Sequence, residues 1–213
     1  MDIEKINHYL TDLNDRAGFL ENLRKIISYK SDYFIPAVRE DCALFLRWFT
    51  TITAPLNILE IGFGAGASAY SIRSGLDESF NKFITLERDI NRYNRGMEVL
   101  EHFCIDMVDL MHIDGFEYLK GADLKFDMIF LDAVKKDYIE YLPGIYDKLN
   151  IGGYLLADNT IFGGKVVDEI VEKKYINGVE KLKEFNEKLS DDKRFISYFF
   201  NIGDGISVSK KVK

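Results

Sequence analysis

Asp132 ends the apolar run DMIFL, and Asp158-Asn159 end GGYLLA, so two carboxylates and an amide stand where buried strands would stop. Oxygen donors of this kind suit a hard divalent cation such as Mg²⁺, Mn²⁺ or Ca²⁺, and they leave coordination positions for water or a substrate. Taken alone, Asp158 and Asn159 also read as caps of a turn before Gly163-Gly164. The stretch LDAVKKDY, residues 131–138, adds Lys135 and Lys136 three and four positions after Asp132, charges that a buried strand has no use for.

Three other run ends carry groups that could hold a ligand. In LEIGFGAGAS, residues 59–68, Gly62, Gly64 and Gly66 permit a tight strand-to-helix turn and close approach of a ligand to the backbone. The helix that follows offers its first N–H groups to an anion. Gly62, Gly64 and Ala67 satisfy the dinucleotide pattern G-x-G-x-x-G/A, which keeps an NAD-dependent oxidoreductase in view. Glu87 ends KFITLE and could accept both ribose hydroxyls of a nucleoside cofactor, or it is a plain surface glutamate. Asp114 follows IDMVDLMHI and suits either an adenine amino group or the cap of a short helix at GFEYLK.

Such residues converge only if the runs are parallel strands, because ligands of open α/β sheets sit beyond the carboxyl ends of the strands. The chain from residue 57 alternates short apolar runs with amphipathic segments, which predicts repeated βα units. The clearest helix covers about 136–149, with Tyr138, Tyr141, Leu142, Ile145, Tyr146 and Leu149 on one face. Two more are predicted over roughly 165–175 and 178–189, and a terminal antiparallel pair is predicted about Gly203-Asp204-Gly205. Before residue 50 the period is helical: Ile3, Ile6, Leu10 and Leu13, then Phe19, Leu23, Ile26 and Ile27, then Val38, Cys42, Phe45 and Phe49. The expected architecture is α/β, a doubly wound, mostly parallel seven-stranded sheet with a C-terminal antiparallel hairpin and extra N-terminal helices. One domain is expected over 1–213, with a helical segment at 1–50 and a cofactor-binding core at 57–213.

At 213 residues and 47% hydrophobic, the chain can bury a full core, and three prolines with no repeat or Ser/Gly tract argue against linkers and solenoids. A net charge of −7 weakly disfavours bulk nucleic-acid affinity. Arg88, Arg92 and Arg95, like Lys173, Lys174 and Lys181, read as solvated helix faces. Cys42 and Cys104 read as buried thiols, since neither belongs to a metal or disulfide frame. The N-terminus has no leader pattern and no 18-residue apolar stretch follows, so a cytoplasmic protein without membrane contact is expected.

In order and spacing, LEIGFGAGAS, TLERD, FDMIFLDAVKKDY, GGYLLADNTIFGG and IGDGISVSKK resemble the cation-dependent, S-adenosylmethionine-dependent O-methyltransferases. That family includes the catechol and caffeoyl-CoA O-methyltransferases and their bacterial relatives, and the resemblance runs from about residue 36 to the C-terminus. It implies a cofactor loop with Glu60, Gly62, Gly64, Gly66 and Ser68, the serine facing the methionine carboxylate. Glu87 falls on the ribose acid, Asp114 on the adenine-side acid, and Lys135 on the catalytic lysine. Asp132, Asp158 and Asn159 fall on the metal ligands, Asp132 lying beside the cofactor as well. Ala67 replaces the usual aromatic before the serine, and Val134 replaces the second acid of the bacterial form.

The resemblance implies a homodimer and leaves the methyl acceptor open between a small phenolic diol and 5-hydroxyuridine of tRNA. A bound cation would stabilise the acceptor's oxyanion, with Lys135 as general base. The NAD enzyme gives no account of the Asp132, Lys135, Asp158 and Asn159 set. A non-catalytic S-adenosylmethionine-binding module is the other alternative.

Overall fold

Residues 3–15, 18–30 and 35–213 are described in the structure, a computed structural model. Residues 1, 2, 16, 17 and 31–34 of the predicted N-terminal helical segment lie outside the described residues. Five apolar runs become parallel strands: β1 (Asn57–Ile61), β2 (Lys82–Glu87), β3 (Val108–His112), β4 (Phe126–Leu131) and β5 (Leu149–Ala157). β6 (Phe195–Phe200) and β7 (Ile206–Lys211) add an antiparallel pair, giving the order β3-β2-β1-β4-β5-β7-β6. The helices are α1 (Ile3–Asn14), α2 (Phe19–Ser28), α3 (Glu40–Thr53), α4 (Ala67–Gly75), α5 (Ile90–His102), α6 (Gly115–Gly121), α7 (Tyr138–Lys148) and α8 (Ile176–Asp191).

Both faces of the sheet are covered, which is why the central strands are apolar throughout instead of alternating. In β4, Met128 and Phe130 join the core beneath α2 and α3, while Ile129 and Leu131 join that beneath α7 and α8. The strand order reverses between β1 and β4, the switch point at which a crevice opens in such sheets. The register sets Ile61 opposite Leu86 and Leu131, and Leu131 opposite Ala157. Gly62, Glu87, Asp132 and Asp158 therefore emerge along one edge.

The predicted helix over 165–175 is absent; the segment is a series of turns, with Lys165 N–H donating to the Phe162 carbonyl and Val167 N–H to the Gly164 carbonyl. Val166 packs against the core, but Val167 is 79% and Ile170 89% exposed, and a short helix is marginal without a continuous buried face. The helix predicted from 136 opens as a 3-10 turn, Lys135–Asp137, and ends one residue earlier because Leu149 already belongs to β5. In α2 the periodic residues Phe19, Leu23 and Ile26 are buried, whereas Ile6, Leu10 and Leu13 of α1 are exposed.

Two single-residue expectations are also corrected. Cys42 is buried, but Cys104 is exposed, because α5 has ended and the chain turns outward there with φ of 49°. Arg95 is not on a solvated face: it is 8% exposed and donates to four backbone carbonyls. No helix among the described residues is long and apolar enough to cross a membrane.

The β6–β7 turn reaches back to the chain beyond β5. Thr160 N–H donates to the Gly205 carbonyl and Ile161 N–H to the Asp204 carbonyl. Gly205 has φ of 83°, and a Cβ there would lie 2.4 Å from Ile161 Cγ1 and 2.7 Å from Thr160 Oγ1. Gly205→Ala is expected to lower the unfolding free energy in urea by about 2–4 kcal/mol, from backbone strain plus overpacking. Gly152, with φ of 87° and open space about it, isolates the backbone effect, and Gly152→Ala is expected to cost only about 1 kcal/mol. Equal losses for the two variants would refute this role of the turn.

Candidate active site

The glycine turn exists because β1 and β4 end almost in contact. Gly62 has φ of 105°, and a Cβ on it would meet the Asp132 carbonyl oxygen at 2.1 Å, so no side chain fits. Gly62 N–H and Phe63 N–H both donate to the Leu86 carbonyl, which pins the turn to β2. Glu87 braces it from the same side: one carboxylate oxygen accepts from Gly64 N–H at 3.1 Å and the other from Asp89 N–H at 2.9 Å. Asp89 then caps α5 by accepting from Asn91 and Arg92 N–H.

Glu60, one step inside β1, is completely buried. Thr85 Oγ1 donates to one of its oxygens at 2.5 Å, and the other oxygen has no hydrogen-bond partner among the described residues. Burial pushes the carboxyl up to about 8, against the hydroxyls of Ser68 and Thr85, which pull it down. Ser68 thus faces Glu60 from the first turn of α4. Asp114 caps α6 by accepting from Phe116 N–H at 2.9 Å, and Arg88 lies 3.7 Å from it and 3.9 Å from Asp137.

At the ends of β4 and β5 the carboxylates draw together. Lys135 Nζ stands 3.5 Å from Asp132 Oδ1. Burial raises the Asp132 pKa and the Lys135 charge offsets part of that rise. Asp158 is 2% exposed, and burial followed by the nearby charge of Asp132 pushes it up to about 7. Asn159 takes a left-handed conformation, φ of 58°, which asparagine tolerates better than most side chains. Lys136 is exposed.

A crevice of about 130 Å³ brings Gly62, Gly64, Glu87, Asp132 and Lys135 together with Pro36 and Tyr141. A larger groove of about 750 Å³, between α1, α3 and residues 201–202, contains none of the predicted site residues. Two participants escaped the sequence reading. Cys42 Sγ donates to Asp158 Oδ1 at 3.7 Å, a contact across 116 residues with no sequence signal. The Tyr138 hydroxyl lies 3.3 Å from the Leu131 carbonyl and 3.2 Å from that of Asp158; the general need of a buried tyrosine for a polar partner was the available clue.

A doubly wound sheet with an antiparallel β7 inserted between β5 and β6, and a glycine turn at its switch point, marks a Rossmann-like methyltransferase fold. The chain belongs to the O-methyltransferase family, whose model matches residues 12–212. Caffeoyl-CoA O-methyltransferase 1 of Arabidopsis thaliana is 27% identical over 203 residues, covering 91% of this chain and 78% of that protein. The tapetum-specific methyltransferase 1 of the same plant is 27% identical over 182 residues, 81% of this chain and 76% of the relative. Among solved structures, the SAH-bound methyltransferase of Podospora anserina superposes with a TM-score of 0.83 at 21% identity, covering 99% and 95% of the two chains. The Bacillus cereus O-methyltransferase in complex with SAH gives 0.81 at 22% identity, covering 98% and 97%. Family membership decides between the two enzyme classes the glycine pattern allowed, in favour of the transferase.

Glu60 yields a test of the buried site. Its folded pKa lies above the ordinary 4.5, so between that value and about 8 the folded chain holds a proton that the unfolded chain has released. Stability from this group is complete below pH 4.5 and is lost as pH rises through about 8. Relative to Glu60→Gln, the ligand-free wild type is expected to lose on the order of 3 kcal/mol between pH 5 and pH 8 in urea titrations. Parallel pH profiles for the two proteins would rule the buried neutral carboxyl out.

Proposed function

We propose that the chain is an S-adenosylmethionine-dependent and divalent-cation-dependent O-methyltransferase that methylates a hydroxyl of a small phenolic, catechol-like acceptor. The observation that carries this is the junction of the glycine turn with Asp132, Lys135 and the buried Asp158 at neighbouring strand ends. SAH in related structures and the caffeoyl-CoA name of relatives support the donor and the acceptor class.

The residues suit a cation. The charge of Asp132 raises the proton affinity of the buried Asp158, and Lys135 supplies one positive charge against two carboxylates. A hard dication held by Asp132, Asp158 and Asn159 would relieve that imbalance with oxygen donors, Mg²⁺ being favoured over Mn²⁺ or Ca²⁺. When bound, the cation would acidify the acceptor hydroxyl, and the sulfonium donor would supply the methyl group.

Glu87 keeps lone pairs beyond those used by Gly64 and Asp89, and with them it receives the ribose hydroxyls. The backbone of Gly62, Gly64 and Gly66 admits the methionine end near Glu60 and Ser68. Asp114 caps α6 through one oxygen and presents the other towards the adenine side. Lys135, already paired with Asp132, accepts the hydroxyl proton as general base. A homodimer, the expected assembly, would be seen as a mass of twice 24.6 kDa in sedimentation equilibrium.

With labelled S-adenosylmethionine and Mg²⁺, methyl transfer is expected to a catechol panel and not to tRNA containing 5-hydroxyuridine. Transfer to tRNA alone would replace the acceptor assigned here. Lys135→Ala is expected to lower kcat by about 10²–10⁴-fold. EDTA or Asp158→Ala should abolish turnover while SAH still binds, and full turnover in EDTA would sink the cation-dependent reading.

A further inference from the structure

Arg95 is a buried cation with no place in the chemistry above. It extends from α5 into the junction between the glycine turn and the N-terminal helices. Its Nη1 donates to the Ala65 carbonyl at 3.0 Å, inside the turn. Its Nη2 donates to the Ile26 and Ile27 carbonyls at 2.8 and 3.3 Å, and its Nε to the Tyr29 carbonyl at 2.9 Å. The last three belong to the C-terminal end of α2, where the helix dipole favours a cation and the Tyr29 N–H caps the Ile26 carbonyl.

The same turn of α5 grips the loop a second time. A Cβ on Gly96 would lie 2.7 Å from the Phe63 ring, so the helix backbone is seated directly against the buried Phe63. Chain downstream of α2 also leans on the loop, with the Pro36 carbonyl 3.0 Å from where a Cβ on Gly64 would be. One planar guanidinium therefore fixes both the direction of the Ala65 peptide and the end of α2. A shift of either must be transmitted to the other or leave buried donors unpaired.

We propose that Arg95 is a positioning residue that couples docking of α2 to the geometry of the cofactor loop, so that cofactor binding and the ordering of α2 are one linked equilibrium. The N-terminal helical segment then belongs energetically to the cofactor site although none of its described helices supplies a predicted cofactor ligand. This rests on the S-adenosylmethionine reading given above. Linkage is reciprocal, so loosening α2 from its far side must weaken the cofactor as surely as removing Arg95 does.

The test is calorimetric titration of SAH, with hydrogen exchange of the α2 amides measured with and without it. Wild type, Arg95→Ala, Arg95→Lys and Leu23→Ala are compared. Leu23 is fully buried on the core-facing side of α2 and accepts none of the Arg95 hydrogen bonds. In the wild type SAH is expected to slow exchange in α2. Arg95→Ala should weaken SAH roughly 10- to 100-fold and remove that protection. Lysine keeps the charge but cannot span both sets of carbonyls, so Arg95→Lys should fall between the two.

Leu23→Ala should weaken SAH as well, whereas Leu189→Ala, a buried change in α8, should leave its affinity unchanged. Wild-type affinity in Arg95→Ala or in Leu23→Ala overturns the coupling. So does an equal loss in Leu189→Ala, or α2 exchange in wild type that ignores SAH. If Arg95→Ala does not fold, Arg95→Lys and Leu23→Ala decide the matter by the same criteria. A wild type that binds no SAH overturns the cofactor reading itself, an outcome distinct from tight SAH binding that is indifferent to Arg95.

Discussion

Several carboxyl groups are withdrawn from water along one edge of the sheet, and the surrounding structure is organised around that cost. Glu60 and Asp158 are almost fully enclosed, with Glu87 beside them and Asp132 partly covered. An isolated buried carboxylate would be prohibitively unfavourable, so each is neutralised, hydrogen-bonded or set against a cation. Burial pushes the Glu60 carboxyl up to about 8, which favours its neutral form, and Glu87 accepts two backbone N–H groups. Asp132 and Asp158 offset the cost least completely, sharing Lys135 and a weak thiol donor from Cys42. The least compensated pair is the one with most to gain from a ligand.

Placing those groups together requires strands of level ends, and the parallel registers between β1, β2, β4 and β5 provide it. Gly62 is the tightest point of this arrangement. The absence of its side chain allows the β1 turn to pass against the Asp132 carbonyl, joining the glycine-turn side of the crevice to the carboxylate side. Behind the strand ends, the Tyr138 hydroxyl spans the Leu131 and Asp158 carbonyls, while the β6–β7 turn supports residues 160 and 161. The candidate-site edge is thus braced by elements distant in sequence, as rigid positioning of reacting groups demands.

Much of this was legible beforehand because its physics is local. Apolar runs of strand length such as KFITLE and DMIFL, separated by helical periods, leave little choice but a parallel sheet covered on both faces. Charges at run ends can then only lie at its carboxyl edge. The segment 165–175 misled because Val167 and Ile170 have a helical spacing but no surface to cover, and periodicity cannot report whether a partner face exists. Arg95 misled for the opposite reason: its spacing with Arg88 and Arg92 suggests one solvent face, yet α5 rotates it towards the end of α2.

By itself, then, the amino-acid sequence determined the alternation of elements, the glycine turn and which acids stand at strand ends, since each follows from neighbours a few residues apart. Only the tertiary structure decided that Cys42 touches Asp158, that burial pushes the Glu60 carboxyl up to about 8, and that Arg95 ties α2 to the glycine turn. These depend on desolvation and on contacts spanning tens of residues. Both are properties of the packed interior, and no local pattern of residues encodes them.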